Sequence, residues 1–171
     1  RLADYTLCRR VPGFAGICRE IQADEKRRME GNTPEHLMNV LSHFGNAEEL
    51  AGNTQYGSCL FAVKPGDGSA REQAASCQKV LGGLANICAE YATKRYNCIN
   101  WGILPFVLPE GGDLPCGTGD YIFIPGIRDM IKENQREIPA KVLTGTGETF
   151  DMTLMMGNLT KAERDILLKG C

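Results

Sequence analysis

The stretch Gly66-Asp67-Gly68-Ser69-Ala70-Arg71-Glu72-Gln73-Ala74-Ala75 carries more chemistry than any other part of this 171-residue sequence. It lies where a short apolar run, Cys59 to Val63, gives way to a helical pattern, so it reads as a strand-to-helix junction. Two readings fit it. In the first, Ser69 and Glu72 form an S-x-x-E capping box and the glycines serve the turn. In the second, the helix start receives an anion, because free backbone N–H groups and the positive end of the helix dipole suit a carboxylate or phosphate. Arg71 would then add a planar fork that grips a carboxylate through two bonds. A cation is unfavourable to the dipole at that end, and an anionic ligand would account for it. Ser69 would sit in a locally positive field, the setting a serine requires to act as an alkoxide base.

Other chemistries fail on spacing. Gly66 to Arg71 begins like a dinucleotide fingerprint but has Arg71 where the last glycine belongs. There is no phosphate-binding G-x-x-x-x-G-K-S/T loop and no G-x-S-x-G elbow. The eight cysteines, at 8, 18, 59, 77, 88, 98, 116 and 171, include no C-x-x-C pair. They are expected to be free thiols in a reducing compartment, with no metal site built within the chain. His36 and His43 share a helical stretch but stand two turns, about 10 Å, apart, too far to share one ion.

The elements around the junction follow from apolar periodicity. Thr33-Pro34-Glu35 is a helix start, and Leu37, Val40, Leu41 and Phe44 make one apolar stripe. Arg19 to Glu30, a dense run of both charge signs, is expected to be a solvated helix or loop. A helix is expected over 69–81, stopped by Gly82-Gly83, then a buried strand over 84–89, a helix over 91–101 and an extended segment over 103–108. Alternating strands and helices imply parallel pairing. Residues 110–119 read as loop and 121–124 as a strand. A hairpin is expected around Thr144-Gly145-Thr146-Gly147, and Thr160 with Glu163 as a capping box opening a last helix.

The chain has the size of one domain. Its 19 Lys+Arg against 21 Asp+Glu give a net charge of −2, which offers a polyanion no broad attraction and argues against nucleic-acid binding. No apolar run reaches the roughly 20 residues of a membrane span. The first residues lack an initiator Met and the apolar core of a secretory signal, so the chain is expected to be a fragment of something longer, cytoplasmic in location.

The junction also resembles a known family. Gly68-Ser69-Ala70-Arg71-Glu72-Gln73-Ala74-Ala75 is similar to the G-S-S-R-E-H-A-A loop of the aconitase superfamily's swivelling domain. Further likenesses follow in order: Leu81-Gly82-Gly83 before an Ala/Ile-rich strand, Tyr91-Ala92 through Asn97, Trp101-Gly102-Ile103-Leu104-Pro105, and Gly119-Asp120-Tyr121-Ile122. Residues 56–171 form the family-like core of a single 1–171 domain, whereas residues 1–55 match poorly. The resemblance implies an α/β fold, a swivelling β/β/α domain whose mainly parallel sheet is flanked by helices. It implies an enzyme, a hydro-lyase that dehydrates and rehydrates a small hydroxy-polycarboxylate. Ser69 would be the base and Arg71 the carboxylate ligand, with Gly68 and Ala70 at the substrate. A 4Fe–4S cluster would be bound by other domains, of the same chain or of a large subunit, and not by this chain's cysteines. Ala70 stands where the family has a second serine, and Gln73 where it has histidine; a further substrate arginine has no counterpart. Two alternatives accompany this expectation: a stand-alone small subunit of an isopropylmalate-dehydratase-type enzyme, and a catalytically weakened regulatory or RNA-binding relative.

Overall fold

The structure is a computed structural model that describes residues 10–66, 68–92 and 96–170. Asp67, Cys8, Cys171 and part of the expected 91–101 helix lie outside the described residues. The order of elements is α1 (Phe14–Met29), α2 (Glu35–Ser42), α3 (Ala47–Asn53), β1 (Ser58–Ala62), α4 (Arg71–Val80), β2 (Gly83–Cys88), α5 (Tyr96–Asn100), β3 (Leu104–Val107), β4 (Tyr121–Phe123), α6 (Ile127–Lys132), β5 (Glu137–Leu143), β6 (Thr149–Met155) and α7 (Lys161–Lys169). The chain is thus mixed α/β, with six strands in one open sheet flanked by helices.

The strand order is β1-β2-β3-β6-β5-β4, and the sheet is not mainly parallel as expected. β1–β2 and β2–β3 are parallel, each joined through a helix, while β3–β6, β6–β5 and β5–β4 are antiparallel. The short Thr144–Gly147 connection decides the second half, because a tight turn can only return the chain antiparallel. Burial differs accordingly. β2 is buried or half-buried at every position, as befits a parallel strand covered on both faces, whereas β5 alternates exposed and buried.

The two halves meet at a single bridging pair, Val107 with Met155. Laid flat, six strands would hold β1 and β4 about 24 Å apart. Yet Tyr56, just before β1, stacks on Tyr121, which opens β4, with ring centroids 6.4 Å apart. The segment leading into β1 therefore reaches across to β4 at the other end of the sheet. The main core draws on β2, α5, β3, β5, β6 and the residue after β6: Ile87, Ile99, Phe106, Ile138, Leu154 and Met156 are all nearly inaccessible. α2 and α3 pack through Leu37, Leu41 and Ala51, and Phe44 stacks on Phe123 at 4.8 Å. α1 joins the region through Phe14 and Cys18, which meet Leu81, Leu60 and Cys77.

Candidate functional site

The Gly66–Ala75 stretch forms the β1-to-α4 connection, at the carboxyl ends of the parallel strands. Open α/β sheets bind ligands on that edge, because the strand-to-helix turns there point helix N-termini outward. Beyond β1, the chain stays zipped to the segment after β2. Ala89 and Glu90 donate backbone bonds to Val63 O at 3.2 and 3.1 Å, Ala92 donates to Pro65 O at 3.1 Å, and Lys64 pairs with Glu90. Gly66 then takes φ 98°, a left-handed conformation that favours glycine, and turns the chain toward α4.

α4 is anchored along its length. Near its C-terminus Gln22 of α1 donates to Val80 O at 2.9 Å. Two residues earlier the buried Gln78 donates to Asn86 Oδ1 at 2.6 Å and to Ala85 O at 3.3 Å, both on β2. At its N-terminus the Trp101 indole donates to Glu72 Oε1 at 2.6 Å. The Leu81-Gly82-Gly83 turn has a steric reason. Gly82 has φ +78°, and a Cβ on Gly83 would lie 2.5 Å from Gln78 Cγ. Two glycines let the helix stop and the next strand begin with no intervening loop.

Gly68, Ser69, Ala70 and Arg71 are all exposed. Among the described residues, neither the Ser69 hydroxyl nor the Arg71 guanidinium has a hydrogen-bond or ion-pair partner. The expected Ser69–Glu72 capping box is absent. The helix starts on Ala70, which has no side chain to cap with, and Glu72 is held by Trp101 instead. A Cβ on Gly68 would meet nothing within 4 Å, so the surface in front of the loop is open. The site thus sets one free cation, one free hydroxyl and the first-turn N–H groups of a ten-residue helix on one open edge. That combination suits a carboxylate held beside a proton acceptor.

The six described cysteines are free thiols, and among the described residues no three His, Cys, Asp or Glu converge to hold a metal ion. Cys88 and Cys98 lie beside the buried Tyr91 hydroxyl, which has no conventional hydrogen-bond partner. Burial pushes the Cys88 thiol up to about 11, raises Cys98, and raises the Tyr91 phenol. All three are neutral near pH 7, so these cysteines are not nucleophiles. His36 bonds Asp24 and His43 bonds Asn39 O, both on the surface. Sequence reasoning missed the Glu72–Trp101 pair and the thiol–phenol cluster. Glu72 and Trp101 are 29 residues apart, and the only signal was a lone tryptophan closing a helix; Cys88, Tyr91 and Cys98 are near in sequence but carry no spacing that marks a cluster. No helix is long and apolar enough to cross a membrane among the described residues. No protein-family profile matches the chain, and no curated protein matches it.

Proposed function

We propose that this chain is the substrate-closing domain of an aconitase-like hydro-lyase, acting on a small hydroxy-polycarboxylate. The observation that carries the reading is that Ser69 and Arg71 are both exposed at the start of α4, with no side-chain partner among the described residues. Both residues stand in the loop that resembles the family's own. The reading extends to the fold, a swivelling β/β/α domain, and to a reducing cytoplasmic setting, which the six free thiols suit.

On this reading Arg71 grips one substrate carboxylate by two bonds and orients the adjacent carbon toward Ser69 Oγ. Ser69, as alkoxide, takes the proton from that carbon, the C–H electron pair becomes the new double bond, and the hydroxyl on the neighbouring carbon leaves as hydroxide, which takes a proton from solvent to become water while Ser69 returns its own proton to solvent. Rehydration runs the same steps backward. The α4 N-terminus and the Arg71 cation lower the cost of the alkoxide, and Glu72, tied to Trp101, is kept from pairing with either group. The iron–sulfur cluster, when bound in domains outside this chain, would polarise the departing hydroxyl. The described cysteines offer it no ligand set here. Ala70 supplies one hydrogen bond fewer than a serine, which points away from citrate and isocitrate as the substrate pair.

The test is kinetic, on the complete cluster-loaded protein, with formation of the unsaturated acid followed by its ultraviolet absorbance. Arg71→Lys should raise KM at least about tenfold, equivalent to roughly 1.4 kcal/mol, because an ammonium cannot reproduce the planar fork. An unchanged KM would overturn the assignment of Arg71. This chain by itself should show no turnover.

A further inference from the structure

Trp101 is the only tryptophan in the chain. Its bond to Glu72 Oε1, 2.6 Å long, joins the turn after α5 to the first turn of α4 across 29 residues. That bond bears on how α4 begins. With Ser69 as N-cap, Glu72 is the third helical residue. From there a capping-box glutamate folds back onto the cap residue's N–H, while the serine accepts from the glutamate's N–H. The chain completes such a box at α7, where Thr160 accepts from Glu163 N at 3.3 Å and Glu163 Oε2 accepts from Thr160 N at 2.6 Å. At α4 the same residue pattern leaves the box open: the helix starts one residue later, on Ala70, and Glu72 is turned to the indole. The difference between the two helices is the competing donor. A charge-assisted bond from Trp101 replaces the one that Ser69 N–H would have made, and the Ser69 hydroxyl is left with no partner among the described residues.

We propose that Trp101 is a positioning residue: by holding Glu72 it keeps the Ser69 capping box open and leaves the Ser69 hydroxyl free to meet substrate. This rests on the reading of Ser69 as the base. In the Trp101→Phe variant the ring is retained and the donor is lost. Glu72 returns to the Ser69 N–H, the box closes, and the hydroxyl is committed to the Glu72 amide. In the complete protein kcat should fall about tenfold, the factor that roughly 1.4 kcal/mol of capping represents, with KM little changed because Arg71 is untouched. The double variant Trp101→Phe with Glu72→Ala removes the glutamate half of the box and should restore most of kcat. A tryptophan that served only to hold the fold together would not be rescued by a second loss.

A second readout is independent of turnover. Hydrogen exchange at the Glu72 amide should slow about tenfold in the Trp101→Phe chain, as the serine takes up that N–H. The single indole N–H resonance of the unaltered chain should shift on Glu72→Ala. Unchanged exchange at Glu72, or no rescue by the double variant, overturns the proposal. Slowed exchange with unchanged turnover overturns the reading of Ser69 as base on which the proposal rests.

Discussion

Ser69 and Arg71 owe their interest to what they do not do. Neither side chain bonds to another described residue, so neither side chain contributes to holding the fold. Ser69→Ala and Arg71→Lys are therefore expected to leave stability within about 0.5 kcal/mol of the unaltered chain, checked by denaturant titration. A larger loss would assign them a structural role. The cysteines carry the opposite expectation. Cys18, Cys88 and Cys98 are buried, and the thiols of Cys88 and Cys98 are held protonated by that burial. At pH 8 an alkylating reagent should leave all three unlabelled in the native protein and react on unfolding. At this scale the exposed loop was legible in the sequence, because a serine and an arginine at a glycine-flanked helix start are local features. The fate of Glu72 was not. A capping box is a local rule, and the donor that breaks it arrives from the turn after α5.

The elements that position the loop were legible where apolar runs were bounded by glycine or proline. β1, α4, β2, β3 and β4 lie within two residues of their expected bounds. The β5–β6 hairpin and the α7 capping box form as expected. The helix expected to start at Thr33-Pro34-Glu35 and to stop at Gly45 or Gly52 is present as the shorter α2, with Pro34 rather than Thr33 at the cap position, and the charged run is the body of α1, whose buried residues Phe14, Ala15 and Cys18 cluster at one end and leave no full stripe to read. α3 and α6 went unread: seven and six residues long, each offers too little periodicity, and α6 starts on Gly126 with no side-chain cap. The Gly82-Gly83 junction sets how α4 meets β2. Gly83→Ala would drive a methyl group to 2.5 Å from Gln78 Cγ and 2.9 Å from Gln78 O. It should destabilise the chain by about 1–3 kcal/mol, seen as a lower denaturant midpoint. Thr160→Ala opens the α7 box and should cost about 1 kcal/mol by the same measure.

Across the whole molecule, the alternating pattern of the first half supported parallel pairing, and the mainly parallel sheet that the family resemblance implied holds for that half alone. Strand sense in the second half is set by the short hairpin and by the single Val107–Met155 joint, while the Tyr56–Tyr121 contact joins the segment before β1 to β4 at the far end of the sheet. The buried thiol–phenol cluster ties this architecture to pH. Cys88 goes from an ordinary 9.0 to about 11 on folding, so the unfolded chain loses its proton first as pH rises. Its contribution to stability is complete below pH 9 and disappears between about 9 and 11. Unfolding free energy should fall over that window, and Cys88→Ala should flatten the fall. The central claim, that this domain brings a base to a bound polyacid, is tested most directly by Ser69→Ala in the complete cluster-loaded protein. The account predicts that dehydration and solvent-hydrogen exchange at the substrate carbon are both lost while the fold and substrate binding persist. Exchange and turnover near those of the unaltered protein would contradict it.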